Sequence, residues 1–228
     1  MTRLAICLAL GLTAAGIAPA ASAATRAQPV AASPPAEPAS QEVDGVRDWV
    51  VSSGDNQGLP FVIVDKKTTE VFVYRPDGAL RGAAPALMGL AVGDLSVPGI
   101  GDRNLSAIRP QERTTPAGRF VAAMGQDLGE KDIVWVDYGA AISIHRVITG
   151  NPKDHRLHRL STRTTADNRI TYGCINVPVR FYEQVVGPTF KTTSGIVYIL
   201  PEVISLREAI PHYRDLARPQ QAVGLPGH

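Results

Sequence analysis

Cysteine is nearly absent from this chain: there are two, Cys7 and Cys174, in 228 residues. Cys7 lies among the first apolar residues, so a chain processed near its start keeps Cys174 alone. A single thiol cannot pair within its own chain, which excludes a disulfide-stapled fold and leaves a reactive group, an intermolecular bridge or a small buried hydrophobe. Charge of one sign is lacking as well. Lys plus Arg is 23 against 21 Asp plus Glu, a net charge of +2, which is too small for the basic footprint of a nucleic-acid binder. No apolar run reaches the roughly 20 residues that span a bilayer. There is no internal repeat and no glycine-rich strand-to-helix loop of the phosphate-cradling kind. The spacing of His145, His155, His158 and Cys174 is not that of a compact zinc motif.

What is present begins with a leader. Arg3 precedes an apolar run from Leu4 to Ala14, and Ala21-Ser22-Ala23 fits the small-x-small rule for cleavage after Ala23. Residues 1–23 are expected to be a secretory signal peptide, with export and no stable membrane insertion after cleavage. Exported proteins meet an oxidising compartment, which makes a lone mature thiol more notable. Residues 24–45 are rich in Ala, Pro and Ser and predict a flexible linker. The expected domain covers 46–203, followed by a C-terminal helix and tail over 204–228.

Within the domain the chain predicts a mainly β fold. A short helix is expected from Val46 to Val51. Phe61–Asp65 and Glu70–Tyr74 form a hairpin pattern around Lys66-Lys67-Thr68. Further strands are expected at 86–92, 118–123, 132–137, 141–146 and 195–200, with a Pro- and Gly-punctuated loop over 94–116. A short helix is expected at 179–186. Many short strands separated by turn signals suggest a β-sandwich or barrel-like sheet with short peripheral helices.

The chemistry concentrates in Arg169-Ile170-Thr171-Tyr172-Gly173-Cys174-Ile175-Asn176-Val177-Pro178. Glycine lets the backbone turn sharply beside the thiol. If a helix starts at Cys174, its N–H groups favour a thiolate and can hold an oxyanion. A thiol nucleophile needs a base. His145, at a strand end, is held more rigidly than His155 or His158 in a charged loop, while His212 and His228 lie near the terminus.

Thr171, Gly173, Cys174, Ile175 and Asn176, with His145 upstream, resemble the signature of the L,D-transpeptidase catalytic domain (the YkuD type). Thr114-Thr115-Pro116-Ala117-Gly118-Arg119-Phe120 is similar to that family's Thr-Pro-x-Gly-x-Phe segment, and the likeness runs from about Phe61 to Pro201. It implies an L,D-transpeptidase-like β-sandwich. Cys174 is then the nucleophile, His145 the proton donor and acceptor, and the Gly173 backbone part of the oxyanion site. The implied substrate is a peptidoglycan tetrapeptide stem, cut through a Cys thioester to form 3→3 crosslinks or to release D-alanine. No metal or organic cofactor is implied, and the place of action is the periplasm or cell wall. Three positions depart from the pattern. The His145–Cys174 spacer is longer than usual, Tyr172 stands where His is common, and Arg146 stands where a small residue is common. By sequence distance, His155 or His158 is nearer the usual place of the base.

The spacer is basic. Arg146, Lys153, Arg156, Arg159, Arg163 and Arg169 outweigh Asp154 and Asp167 by four charges. Arg forks suit carboxylates, so Arg146 and Arg169, with Tyr172 and Asn176, are candidate substrate-binding residues; the alternative is a solvated loop. Rival functions are an L,D-carboxypeptidase or another thiol peptidoglycan hydrolase, and a non-catalytic wall-binding scaffold with an inert Cys174.

Overall fold

A computed structural model describes residues 38–129, 131–162 and 164–215. The expected signal peptide, most of the expected linker, Arg163 and the tail from residue 216 lie outside the described residues. No helix among the described residues is long and apolar enough to cross a membrane.

The fold is predominantly β. The described elements open with a helix, α1 (Gln41–Ser53). Ser40 caps it by accepting from the Val43 N–H, and Gly54 ends it in the left-handed region at φ 70°. Its buried stripe is Val43, Val46, Trp49 and Val50, a helical spacing. The helix therefore begins inside the Ala/Pro-rich segment expected to be linker, because the Ser40 cap and the acidic first turn, Glu42 and Asp44, start it there.

Strands β1 (Phe61–Asp65), β2 (Glu70–Tyr74), β3 (Leu80–Pro85), β5 (Gly118–Gln126), β6 (Asp132–Asp137), β7 (Ile142–Arg146), β9 (Ile175–Val177) and β10 (Gly195–Ile199) form one mixed sheet. Its order is β3-β2-β1-β10-β5-β6-β7-β9. The small strands β4 (Met88–Gly89) and β8 (Arg169–Thr171) pair separately, in parallel. The nine-residue β5 joins the two halves of the large sheet. Its first part, Gly118–Ala122, pairs with β10, and its second, Ala123–Gln126, pairs with β6.

The halves share one core. Val62, Val64, Val71, Val73, Val197 and Ile199 from one end of the sheet pack with Val134, Val136, Ile142, Ile144, Ile175 and Val177 from the other. This is the sandwich-like arrangement expected from the sequence. The alternate residues Phe61, Ile63, Phe72, Tyr74, Ile196 and Tyr198 face the other way, against α1 and the C-terminal segment. Both faces of β1 and β2 are thus covered, which is why these strands are continuous apolar runs.

Three expected elements differ. The strand expected over 86–92 shortens to β4: Leu87 makes an isolated bridge to Asn176, and Gly89 lies so close to the 113–115 backbone that a Cβ would meet Arg113 O at 2.5 Å. Residues 86–89 are buried by threading between other elements, while Leu90 and Val92 are exposed. The helical stretch after β9 extends beyond the expected end. It runs as α3 (Val179–Phe181), a π-helical turn (Tyr182–Val186) and α4 (Gly187–Phe190). The C-terminal helix shrinks to α5 (Leu206–Ala209), since Pro211 bars helical φ/ψ at Ile210. Within the basic spacer, α2 (Arg156–Arg159) is a single turn.

Candidate active site

Strands β7 and β9 are parallel neighbours, with Ile144 opposite Ile175 and His145 opposite Asn176. One step back along the same register, Ser143 lies beside Cys174. Side chains alternate along a strand, so Ile144 and Ile175 enter the core while Ser143, His145, Cys174 and Asn176 share the other side. Cys174 is partly exposed. Ser143 Oγ lies 3.5 Å from its Sγ, and the Sγ–H reaches the Ala141 carbonyl at 3.4 Å. His145 Nδ1 bonds the Arg146 carbonyl at 2.8 Å, and its Nε2 bonds Asn176 Nδ2 at 3.1 Å.

The thiol and the imidazole perturb each other. Burial pushes the Cys174 thiol up, but its interaction with His145 and the Ser143 bonds pull it below its ordinary value. Burial pushes His145 down, and interactions with Cys174, the Arg146 carbonyl and Asp127 carry it above its ordinary value. Each shift favours the charged form of its group, the sense in which a neighbouring imidazole activates a thiol. His155 and His158 are both exposed, and no hydrogen bond of either ring to the thiol is found among the described residues.

The turn that presents Cys174 is built by its neighbours. Gly173 has φ 133°, and a Cβ there would meet Thr114 O at 2.6 Å and Ile142 Cδ1 at 2.7 Å. Its carbonyl accepts from Thr115 Oγ1 at 2.8 Å, and Thr115 Oγ1 in turn accepts from the Gly89 N–H at 2.9 Å. The Thr115 carbonyl in turn accepts from Lys66 Nζ at 2.9 Å. Lys66 is fully buried, ion-paired with Asp94, and 3.6 Å from Glu202. Thus the Thr-Thr-Pro segment forms the wall of the cysteine turn.

Several expected roles are not met in this geometry. Cys174 does not start a helix: it leads into β9, and helix begins only at Val179. The Gly173 N–H donates to Thr171 Oγ1 at 3.1 Å, so it is already satisfied, and the glycine's contribution here is conformational. Arg169 is not offered to a ligand. It pairs with Glu202 and donates to the Lys66 carbonyl at 2.9 Å. Arg146 points away from His145, pairs with Asp132 at 3.0 Å and Glu183 at 3.2 Å, and stacks 4.2 Å from the Tyr182 ring centroid. There it lines a groove of about 430 Å³ with Met124 and Lys191. Tyr172 is at the thiol turn, with the Arg113 guanidinium 4.0 Å from its ring centroid. Asn176 is 1% exposed and bonds His145 and Arg156. No cluster of metal-ligating side chains is found among the described residues.

No family model matches the chain, and no curated protein does. Solved structures similar to it include the helical cell shape determining protein Pgp2 from Campylobacter jejuni. That likeness is 18% identity and a TM-score of 0.43, over 70% of this chain and 56% of that one. The catalytic domain of an E. faecium L,D-transpeptidase is similar at 14% identity and a TM-score of 0.37, over 63% of this chain and 98% of that one. An L,D-transpeptidase from Mycobacterium tuberculosis H37Rv is similar at 15% and 0.38, over 61% and 57%. This chain therefore spans little more than half of the Campylobacter and Mycobacterium chains. At such identities and TM-scores these likenesses do not assign an activity.

Sequence reasoning missed Ser143 and Arg156 as parts of the site. Ser143 was findable by strand alternation, two positions before His145. Arg156 had no signal beyond its charge, since its reach to Asn176 depends on how the spacer folds.

Proposed function

We propose that this chain is an exported, cysteine-dependent peptidoglycan L,D-transpeptidase. The observation that carries the reading is that β7 and β9 are parallel neighbours, with His145 on β7 and Cys174 at the entry to β9, each shifting the other toward its charged form. The resemblance of the Thr171–Asn176 and Thr114–Phe120 segments to that family supplies the substrate class.

In the proposed reaction the Cys174 thiolate attacks the carbonyl carbon of the peptide bond that follows the third residue of a tetrapeptide stem. Protonated His145 gives its proton to the departing amine, the C–N bond breaks, and D-alanine leaves a thioester on Cys174. An amine of a second stem then attacks the thioester, His145 takes its proton, and the thiol is regenerated with a 3→3 crosslink formed. Water in place of that amine gives the carboxypeptidase outcome through the same thioester. Stem peptides are the proposed partners, and the periplasm or cell wall the proposed location. Ser143 is suited to orient the sulfur, and Tyr172, stacked under Arg113, to border the path to it.

The test is mass spectrometry of stem tetrapeptides and wall fragments incubated with the full chain. D-alanine release with crosslinked or trimmed products is expected, and Cys174→Ala should give neither while melting at the wild-type temperature. Product formation by Cys174→Ala at the wild-type rate would refute the thiol mechanism. A folded wild-type protein that forms no product, and whose Cys174 resists a small alkylating agent, would favour a scaffold.

A further inference from the structure

Arg156 belongs to the long basic spacer, yet it reaches the site. Its Nη1 donates to Asn176 Oδ1 at 3.0 Å, while its Nε pairs with Asp154 at 2.9 Å. Asn176 Nδ2 then faces His145 Nε2 at 3.1 Å, and His145 Nδ1 faces the Arg146 carbonyl at 2.8 Å.

Hydrogen-bond chemistry constrains this chain from both ends. A guanidinium has donors only, so the atom Asn176 presents to Arg156 must be its oxygen. Its NH₂ group is then turned to His145, and Nε2 must accept. At the other end a carbonyl only accepts, so Nδ1 must carry the hydrogen. The two ends are independent and demand the same tautomer: Nδ1–H, with the lone pair on Nε2. That lone pair is the one a base needs.

The chain also has a cost on protonation. A proton arriving at Nε2 would confront the N–H of Asn176, donor against donor. Turning the amide would relieve His145 but set the NH₂ group against Arg156. The other groups that bear on the ring act differently. Cys174, just before β9, and Asp127, just after β5, favour the imidazolium. The Arg146 side chain, on β7 itself, is turned away toward Asp132 and Glu183. Arg156, from α2, is thus the charged side chain that the hydrogen-bond chain sets against a second positive charge.

We propose that Arg156 is a positioning residue which, through Asn176, holds His145 in its Nδ1–H tautomer and opposes protonation at Nε2. The proposal rests on the reading of His145 as the partner of Cys174. It makes the basic spacer a part of the site that tunes the base, by a contact that a carboxylate ligand of Arg156 would compete with.

Two measurements on the full chain test it. The first needs no variant: nitrogen NMR of the His145 ring in its neutral form should report Nδ1–H, and a predominant Nε2–H tautomer would overturn the proposal. The second follows the rate of Cys174 alkylation by iodoacetamide against pH. In Arg156→Met the amide is free to turn and the imidazolium is relieved, so the midpoint should move to lower pH by about one unit. Arg156→Lys keeps a charged donor and should hold the wild-type midpoint. An unchanged or raised midpoint in folded Arg156→Met overturns the proposal; if that variant does not fold, Arg156→Ala is read in its place by the same criterion. A failure of the proposed function shows elsewhere, as absence of D-alanine release from stem tetrapeptides, and leaves the ring spectrum unmoved.

Discussion

His145 is the residue whose removal discriminates most. It sits at a strand end in register with Asn176, while His155 and His158 are exposed on the spacer. His145→Ala is expected to lower turnover by at least about a hundredfold, the low end for a positioned acid or base. His155→Ala and His158→Ala should each cost far less, as measured by D-alanine release. Loss of activity on removing either spacer histidine, with His145→Ala active, would reverse the assignment. The pH dependence follows from the two shifts. The thiolate forms as pH rises through the lowered Cys174 value, and the imidazolium is lost as pH rises through the raised His145 value. With the thiol's value lowered, it should alkylate at lower pH than an ordinary cysteine.

At the scale of elements, the cysteine turn depends on a segment far from it in sequence. Thr115 is buried and its hydroxyl links the Gly173 carbonyl to the Gly89 N–H. Thr115→Val keeps the shape but leaves both backbone groups without that partner. A cost of about 1–3 kcal/mol is expected, seen as a lower melting temperature, together with slower alkylation of Cys174. Thr115→Ser should restore both. A Thr115→Val protein with wild-type melting and wild-type thiol reactivity would show that the turn stands without this hydroxyl.

The same segment illustrates what the sequence could and could not say. The strands at 61–65, 70–74, 132–137 and 195–199 were legible because β-branched runs bounded by turn residues have few other homes. The paired motif residues Cys174 and His145 were legible as chemistry. Arg169 was misjudged because charge in a basic stretch says nothing about a partner, and its partner, Glu202, lies 33 residues away. The helix expected at Cys174 failed for a similar reason. Ile175-Asn176-Val177 is a strand because β7 lies beside it, and that pairing is a tertiary fact that local propensity does not contain.

Across the whole molecule, buried tyrosines predict the response to alkali. Tyr74 is pushed up to about 12, chiefly by burial, and Tyr182 and Tyr198 are also raised, chiefly by burial. A group raised on folding contributes stability that is fully present below its unfolded value, about 10 for tyrosine, and is lost as pH rises through the folded value. Resistance to urea should therefore hold up to about pH 10 and decline steeply above it. Tyr74→Phe should flatten part of that decline. A midpoint that does not change between neutral pH and strong alkali would show that these hydroxyls ionise without opening the fold.

The ionic group around Lys66 has a consequence in time. Its members are Lys66, Asp94, Arg169 and Glu202, and Asp94 also accepts from the Glu202, Val203 and Ile204 N–H groups. Its partners Lys66 and Glu202 are 136 residues apart along the chain, so closing the group waits on the last strand. Until the segment after β10 docks, Lys66 has lost half of its counter-charge, and the Thr115 carbonyl has no settled cation to hold it. A nascent chain would thus carry the complete cysteine motif well before it carries the scaffold for the cysteine. The scaffold of the cysteine turn is then among the last parts of the fold to close.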